Sequence, residues 1–154
     1  MRVGSIGTHW VGHYSYDPSP DVPASFKETQ FELQMNVGWF GRVTGKVFDA
    51  DSGIPGPAVI RGRLRRHKIR FTKKYENLWI PDADGKLTLV PGQPSHVLYY
   101  NGQLTEDCRR LSGTWKTRAE IRWIDGGRWQ FQPISGTWMA TSESNQNKIV
   151  RKNS

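Results

Sequence analysis

The sequence contains one cysteine, Cys108, and no long apolar run. A single cysteine excludes an intrachain disulfide and a cysteine-based metal cluster. No run reaches the ~20 apolar residues that a membrane-spanning helix needs, so no membrane association is expected. The first residues also lack the apolar segment of a secretory signal. Together these absences favour a cytoplasmic protein.

Residues that could carry catalysis or bind metal are equally scarce. Cys108 has no histidine close in sequence, and we interpret it as a spectator thiol. His9 and His13 share one face of a predicted strand, but four residues at ~3.3 Å each separate their Cα atoms by about 13 Å, too far to chelate one ion. A haem-binding barrel would need one axial histidine. His96 is the candidate, because strand parity, the alternation of side chains between the two faces of a strand, points it inward. We therefore predict no enzyme, no catalytic residue, no metal site and no cofactor.

Aromatic residues and turn formers are plentiful. There are seven tryptophans, five tyrosines, six phenylalanines, 16 glycines and nine prolines. Aromatic and β-branched runs broken by Gly, Pro, Asn and Asp are typical of β-sheet, and no window has a helical period. The length suits one domain. We predict an all-β domain over residues 1–141, followed by a disordered basic tail at 142–154.

Alternation of apolar and polar residues predicts about eight long strands. Their expected bounds are 6–16, 26–37, 41–48, 58–64, 68–75, 96–101, 111–124 and 128–141. Turns are expected at 49–53 and at Asn101–Gly102, and a long excursion over 76–95 holds a further short strand at 86–90. Eight strands joined by short links close readily into an antiparallel up-and-down β-barrel, which leaves no exposed edge. A β-sandwich is the alternative.

A short element ending in tryptophan occurs three times. It reads Gly-Thr-His-Trp at 7–10 and Ser-Gly-Thr-Trp at both 112–115 and 135–138. We expect the indoles to fill the barrel interior, with the glycines relieving crowding between coiled strands. Some of these indoles could instead line a ligand cavity, because an eight-stranded barrel can enclose a small molecule.

Several of these motifs carry a resemblance to a known family. The first strand places Trp10 two residues before a glycine, the third strand has Gly41 and Gly45, and Tyr-Asn-Gly-Gln at 100–103 precedes the strand of Trp115. This pattern resembles the calycin superfamily, most closely its avidin-like barrels and also its lipocalin-like ones. The resemblance implies an eight-stranded up-and-down barrel that binds a ligand at its open end.

The biotin site of avidin-like barrels is not retained. Those barrels have small polar residues after the first-strand tryptophan, where this chain has the bulky Tyr14 and Tyr16. Hydroxyl-bearing residues of the sixth strand are replaced by His96, Leu98 and Tyr100. Any cavity should therefore be more crowded and differently shaped.

Strand parity places several aromatic and polar side chains inward, and these are the candidate ligand-binding residues. They are Tyr14, Tyr16, Lys73, Tyr75, His96, Tyr100 and Trp115. An inward lysine is costly unless it is paired, so Lys73 should lie at the rim or meet an anionic group of the protein or ligand. The predicted function is non-enzymatic binding of a small molecule. The alternative is a protein-interaction or assembly module with a filled core, which would use exposed Trp39–Phe40 and Trp79 in loops.

The net charge of +8 is concentrated partly on two neighbouring strands. Parity directs a set of cations outward from them: Arg61, Arg63, Arg65, Lys68 and Arg70. These side chains form either a solvated wall or a surface for an anionic partner. Nucleic-acid binding would also require exposed aromatic rings for stacking, whereas Phe71 and Tyr75 are expected to point inward.

Overall fold

A computed structural model describes residues 6–20, 22–23, 26, 28–50 and 54–143. In this part of the chain there are twelve β-strands and one three-residue 3-10 turn, Trp39–Gly41. Eight strands form the barrel: β1 (His9–Tyr16), β2 (Thr29–Val37), β3 (Arg42–Asp49), β4 (Ala58–Arg65), β5 (Lys68–Lys74), β8 (Leu98–Leu104), β9 (Arg110–Lys116) and β12 (Ser135–Ser142). The other four form two hairpins: β6 (Leu78–Pro81) with β7 (Leu87–Val90), and β10 (Glu120–Ile124) with β11 (Gly127–Phe131).

The barrel is closed in the order β1-β12-β9-β8-β5-β4-β3-β2, and every neighbouring pair is antiparallel. The prediction of an eight-stranded up-and-down barrel is therefore confirmed, and the sandwich is excluded. Strand β2 shows why the sequence folds this way. Its residues at 31, 33 and 35 are buried while those at 32, 34 and 36 are exposed, as a two-residue period requires of a one-sided strand.

The three tryptophans of the repeated element are buried in the barrel. Trp115 Nε1 donates a hydrogen bond of 3.0 Å to the Ser15 carbonyl, and Trp138 Nε1 donates one of 3.0 Å to the Asn101 carbonyl. Trp10 Nε1 likewise donates to a nearby backbone carbonyl, 2.9 Å away. Each indole thus buries its rings while its one polar atom is satisfied.

The glycine of Ser-Gly-Thr-Trp makes room for these rings. A Cβ atom at Gly136 would lie 1.8 Å from the Ser15 carbonyl oxygen and 2.6 Å from Trp115 Nε1. Gly136 lies directly opposite Trp115 on the neighbouring strand. The glycine is required because strand and indole approach more closely than any side chain allows, as the repeat predicts.

Two predicted long strands are wrong. The segment 111–124 divides into β9 and β10, and 128–141 divides into β11 and β12. The reason is that β10 and β11 pair only with each other and leave the barrel. The predicted excursion at 76–95 likewise contains a hairpin, β6–β7, inserted between the barrel strands β5 and β8.

The predicted turn at Asn101–Gly102 is also wrong. Both residues lie inside β8, and the chain reverses only after Leu104. Gly102 serves packing here, because a Cβ atom on it would lie 2.6 Å from the Trp138 ring. Strand β8 begins at Leu98, so His96 precedes it and does not belong to it.

The two ends of the barrel differ in how they are covered. At one, the turn end, short connections join β2 to β3, β4 to β5 and β8 to β9. At the other, the hairpin end, the two hairpins pack on each other through buried Leu78, Val90 and Ile124, with Ile80 and Phe131 beside them. The predicted disordered tail falls outside the described residues, apart from Ser142, which ends β12, and residue 143.

Candidate functional site

A cavity of about 750 Å³ lies at the hairpin end, between the barrel rim and the two hairpins. Its volume falls within the range of sites that hold small organic ligands. Most of its wall is apolar and partly aromatic, and includes Phe26, Ile54, Trp79, Leu98, Phe131 and Ile134. Polar and charged side chains also line it, among them Thr29, Asn77, Gln132, Glu28, Lys86 and Arg118.

The structure divides the predicted ligand-binding residues into two groups. Tyr14, Tyr16, Tyr75 and His96 line the cavity. Lys73, Tyr100 and Trp115 do not line it and are buried in the packed layer beneath. The Tyr14 and Tyr16 rings lie edge-on to the Trp115 ring, with centroids 6.1 and 5.2 Å away. The two groups therefore form one continuous cluster, the upper side of which faces the cavity.

Tyr14, Tyr16 and Tyr75 form the floor of the cavity, and an ion pair between Lys73 and Asp49 lies directly beneath it. Lys73 Nζ lies 3.1 Å from Asp49 Oδ1 and 3.3 Å from Oδ2, and it donates to both oxygens. Each side chain is 2% exposed. The Tyr75 hydroxyl donates to Asp49 Oδ2 as well. The anionic partner that an inward Lys73 requires is therefore supplied by the protein.

Asp49 was not among the predicted site residues, because the sequence analysis assigned it to the turn at 49–53. The structure makes it the last residue of β3, on the inward face that also carries Val43 and Val47. The composition Asp-Ala-Asp-Ser-Gly resembles a turn, and this hid the residue. Two signals pointed to it: the parity of β3 continues inward to position 49, and Lys73 lacked a partner.

Aromatic rings enclose the Lys73 ammonium group. Its Nζ lies 4.6 Å from the ring centre of Tyr14, 5.1 Å from that of Tyr75 and 5.9 Å from that of Tyr100. Cation–π attraction adds to the ion pair when the cation is desolvated in this way. Burial lowers the pKa of Lys73, and the Asp49 carboxylate opposes that shift.

The tyrosine hydroxyls of the floor are neutral at physiological pH. Burial, reinforced by the charge of Asp49, raises the pKa of Tyr14 and of Tyr75 well above the usual range. Burial raises the pKa of Tyr16 to about 12. Hydrogen bonding of Tyr14 with Tyr75 and Thr29 opposes the rise at Tyr14. Neutral hydroxyls can both donate to and accept from a ligand.

His96 connects one hairpin to the barrel. Its Nδ1 lies 2.5 Å from Glu120 Oε2, and its ring meets that of Phe131 at 4.5 Å between centroids. Arg122 Nη2 lies 3.2 Å from Glu120 Oε2 and donates to the Ser95 carbonyl at 3.3 Å. Burial lowers the pKa of His96, and hydrogen bonding with Glu120 opposes that shift.

Two predictions concerned tryptophans exposed in loops. Trp39 is exposed beside Phe40 in the 3-10 turn, as expected. The prediction for Trp79 is wrong, because this residue lies half-buried in β6 and lines the cavity. The hydrophobic alternation of a four-residue strand is too short to distinguish it from a loop.

Within the described ranges, no three His, Cys, Asp or Glu side chains come together as metal ligands would. No helix in that part of the chain has the length and apolar character needed to cross a membrane. Cys108 is buried in the β8–β9 connection.

No protein-family model, no curated protein and no solved structure matches this chain.

Proposed function

We propose that this protein binds a mainly apolar small molecule in the cavity at the hairpin end, without catalysis. The observation that carries the proposal is the cavity of about 750 Å³ above a floor formed by buried Tyr14 and the half-buried Tyr16 and Tyr75. Below that floor the barrel is filled by Trp10, Trp115 and Trp138, so the open volume is confined to one end. A filled core is what the assembly-module hypothesis requires, but that hypothesis does not account for the cavity.

The charges beneath the floor favour an uncharged group at the inner end of the ligand. The Lys73 ammonium group is already matched by Asp49, and Tyr75 donates to the same carboxylate. A ligand carboxylate at the floor would find no unmatched cation and would be desolvated at considerable cost. Lys86 and Arg118 line other parts of the cavity, where an acidic group of a ligand could meet them. A neutral molecule with a ring for the aromatic wall and a polar group for the Tyr14 and Tyr16 hydroxyls fits this arrangement. The resemblance to calycins, which bind ligands at the open end of the barrel, supports the same reading and forms part of the proposal.

A fluorescence titration with N-phenyl-1-naphthylamine tests the proposal, because this neutral probe brightens in apolar surroundings. We expect saturable binding to the protein and at least tenfold weaker binding to Leu98→Trp, which fills part of the cavity. Val59→Trp is the matched control, since Val59 faces solvent on the outer wall. Thermal unfolding of both variants establishes that each is folded. Absence of saturable binding, or equal affinity in the two variants, contradicts the proposal.

A further inference from the structure

The outer surface of β3, β4 and β5 carries a cluster of exposed arginine and lysine side chains, here called the basic wall. Arg42 lies directly opposite Arg63, which lies opposite Arg70 on the next strand. Nearer the turn end, Arg65 lies opposite Lys68. All five side chains are exposed, and none forms an ion pair within the described part of the chain. Like charges directly opposite each other destabilise a sheet, and an anionic partner would relieve that repulsion.

Aromatic rings stand at both ends of the same wall. Trp39 and Phe40, in the turn that leads into β3, are 88% and 89% exposed. Phe48, near the other end of β3 and on its outward face, is 40% exposed. Phe71 and Tyr75 point inward, as the sequence predicts, but these other three rings are available for stacking.

The turn that presents Trp39 and Phe40 is held in a costly conformation. Phe40 has a φ of 58°, a region that bulky residues rarely adopt. Two backbone hydrogen bonds fix the turn, from Gly38 N to the Arg42 carbonyl at 2.8 Å and from Gly41 N to the Gly38 carbonyl at 3.2 Å. Both rings are thereby held in solvent beside the first cation of the wall. Burial in the core cannot explain this arrangement.

We propose that the basic wall binds single-stranded nucleic acid, with phosphates on the cations and bases stacked on Trp39, Phe40 and Phe48. From Arg42 to Phe48 the wall is about 20 Å long, six residues at ~3.3 Å each, which accommodates several nucleotides. Stacking requires unpaired bases and tolerates any sequence. This surface is separate from the cavity, so the two proposals can fail independently.

An anionic membrane is the other polyanion that aromatic residues and cations could meet, and the geometry favours it less. A membrane that took up the Trp39–Phe40 tip would meet the turn end of the barrel. Exposed Glu106 and Asp107, in the β8–β9 connection, lie at that same end and would face the anionic surface, and exposed Arg109 and Arg110 beside them would offset this repulsion. Lys46 and Lys74 lie toward the other end of the wall, farther from the tip than the ~8–10 Å over which charges act in physiological salt. A nucleic-acid strand lying along the wall would reach from the Trp39–Phe40 tip to Lys46 and Lys74.

Fluorescence anisotropy tests the proposal with labelled oligo-dT and oligo-U of about 20 nucleotides, since the site size per module is ~4–16 nucleotides. We expect affinity to fall with salt, and Trp39→Ala to weaken binding by about 5- to 150-fold, as the loss of one stacked base predicts. Arg63→Gln should lower the slope of log affinity against log salt by about 0.7. Comparing oligo-dT with oligo-U shows whether DNA or RNA is preferred.

Two variants at the hairpin end serve as matched controls. Trp123→Ala removes a tryptophan that is 66% exposed, and Arg128→Gln removes an exposed cation from β11. Both should bind oligonucleotides as the unmodified protein does. The proposal is overturned if duplex DNA binds as tightly as the single strand, or if Trp39→Ala binds normally. It is also overturned if vesicles containing phosphatidylserine bind while neither oligonucleotide does.

Discussion

Lys73 and Asp49 form an ion pair inside the barrel, with Nζ 3.1 Å from Oδ1 and both side chains 2% exposed. The residues belong to β5 and β3, which are separated by β4, so the pair connects two strands that are not hydrogen-bonded neighbours. It lies where the packed core ends and the cavity begins. The two buried charges therefore neutralise each other at the upper boundary of the core. The side chains that face the cavity above them are neutral tyrosines.

Breaking this pair should destabilise the fold strongly. We expect Asp49→Asn to lower the free energy of unfolding by about 3–5 kcal/mol, because it leaves the Lys73 charge buried without a counter-charge. Urea denaturation measures the effect. Glu28→Gln is the control: Glu28 lies 3.7 Å from His13 and is half exposed, so its loss should change stability by less than about 1 kcal/mol. Equal effects from the two substitutions contradict this account of the floor.

Removing the hydroxyl of Tyr100 and removing that of Tyr75 should have different effects on the stability of the fold. The Tyr100 hydroxyl is buried and has no hydrogen-bond partner in the described part of the chain, so Tyr100→Phe should leave stability unchanged or raise it by about 1 kcal/mol. Tyr75 donates to the Asp49 carboxylate, so Tyr75→Phe should cost about 1.5–3 kcal/mol. Thermal and urea unfolding of both variants provide the comparison. A loss of stability in Tyr100→Phe as large as that in Tyr75→Phe would show that the Tyr100 hydroxyl has a partner.

The predictable part of this fold is the part that depends on alternation along one strand. Parity correctly placed Trp10, Tyr14 and Lys73 inward and Arg63 outward, because a strand with one buried face imposes a two-residue period. The repeated Ser-Gly-Thr-Trp also predicted where strands approach closely.

What the sequence did not predict depends on contacts between distant segments. The residues of β10 and β11 alternate as barrel strands do, and only their pairing shows that they leave the barrel. Asp49 lies in a turn-like composition, although its partner is 24 positions away. Parity indicates which face of a strand points inward, but not which layer is filled and which is open. For this reason Tyr14 and Lys73, both inward, differ in whether they reach the cavity.

Gly136 should tolerate no side chain. Gly136→Ala would place a Cβ atom 1.8 Å from the Ser15 carbonyl oxygen and would displace the Trp115 indole. We expect the free energy of unfolding to fall by about 1–3 kcal/mol, which is typical of overpacking, and the tryptophan fluorescence to change. At Gly38 the nearest backbone oxygen is 3.8 Å from the added Cβ, so Gly38→Ala should have little effect. If the two alanines are equally tolerated, close strand approach is not the reason for the glycine at 136.

The His96–Glu120 contact should be visible in the titration of the histidine. Burial lowers the pKa of His96 below its ordinary value of 6.5, and Glu120 partly restores it. The folded protein therefore binds this proton less readily than the unfolded chain, and the His96 contribution to stability should fall as pH decreases below about 6.5. In Glu120→Gln the pKa of His96 should fall further. Proton NMR titration of the imidazole measures both values, and a rise in Glu120→Gln would contradict the assigned contact.

We propose the cavity at the hairpin end as the ligand site, and four tryptophans allow its occupation to be followed. The most direct test follows the indole N–H signals in proton–nitrogen NMR spectra while a neutral apolar probe is added. Trp79 and Trp129 line the cavity, whereas Trp39 and Trp123 are exposed outside it. If the ligand binds in the cavity, the Trp79 and Trp129 signals should shift saturably while the Trp39 and Trp123 signals stay in place. Shifts confined to Trp39 or Trp123, or no shift at any indole, would contradict it.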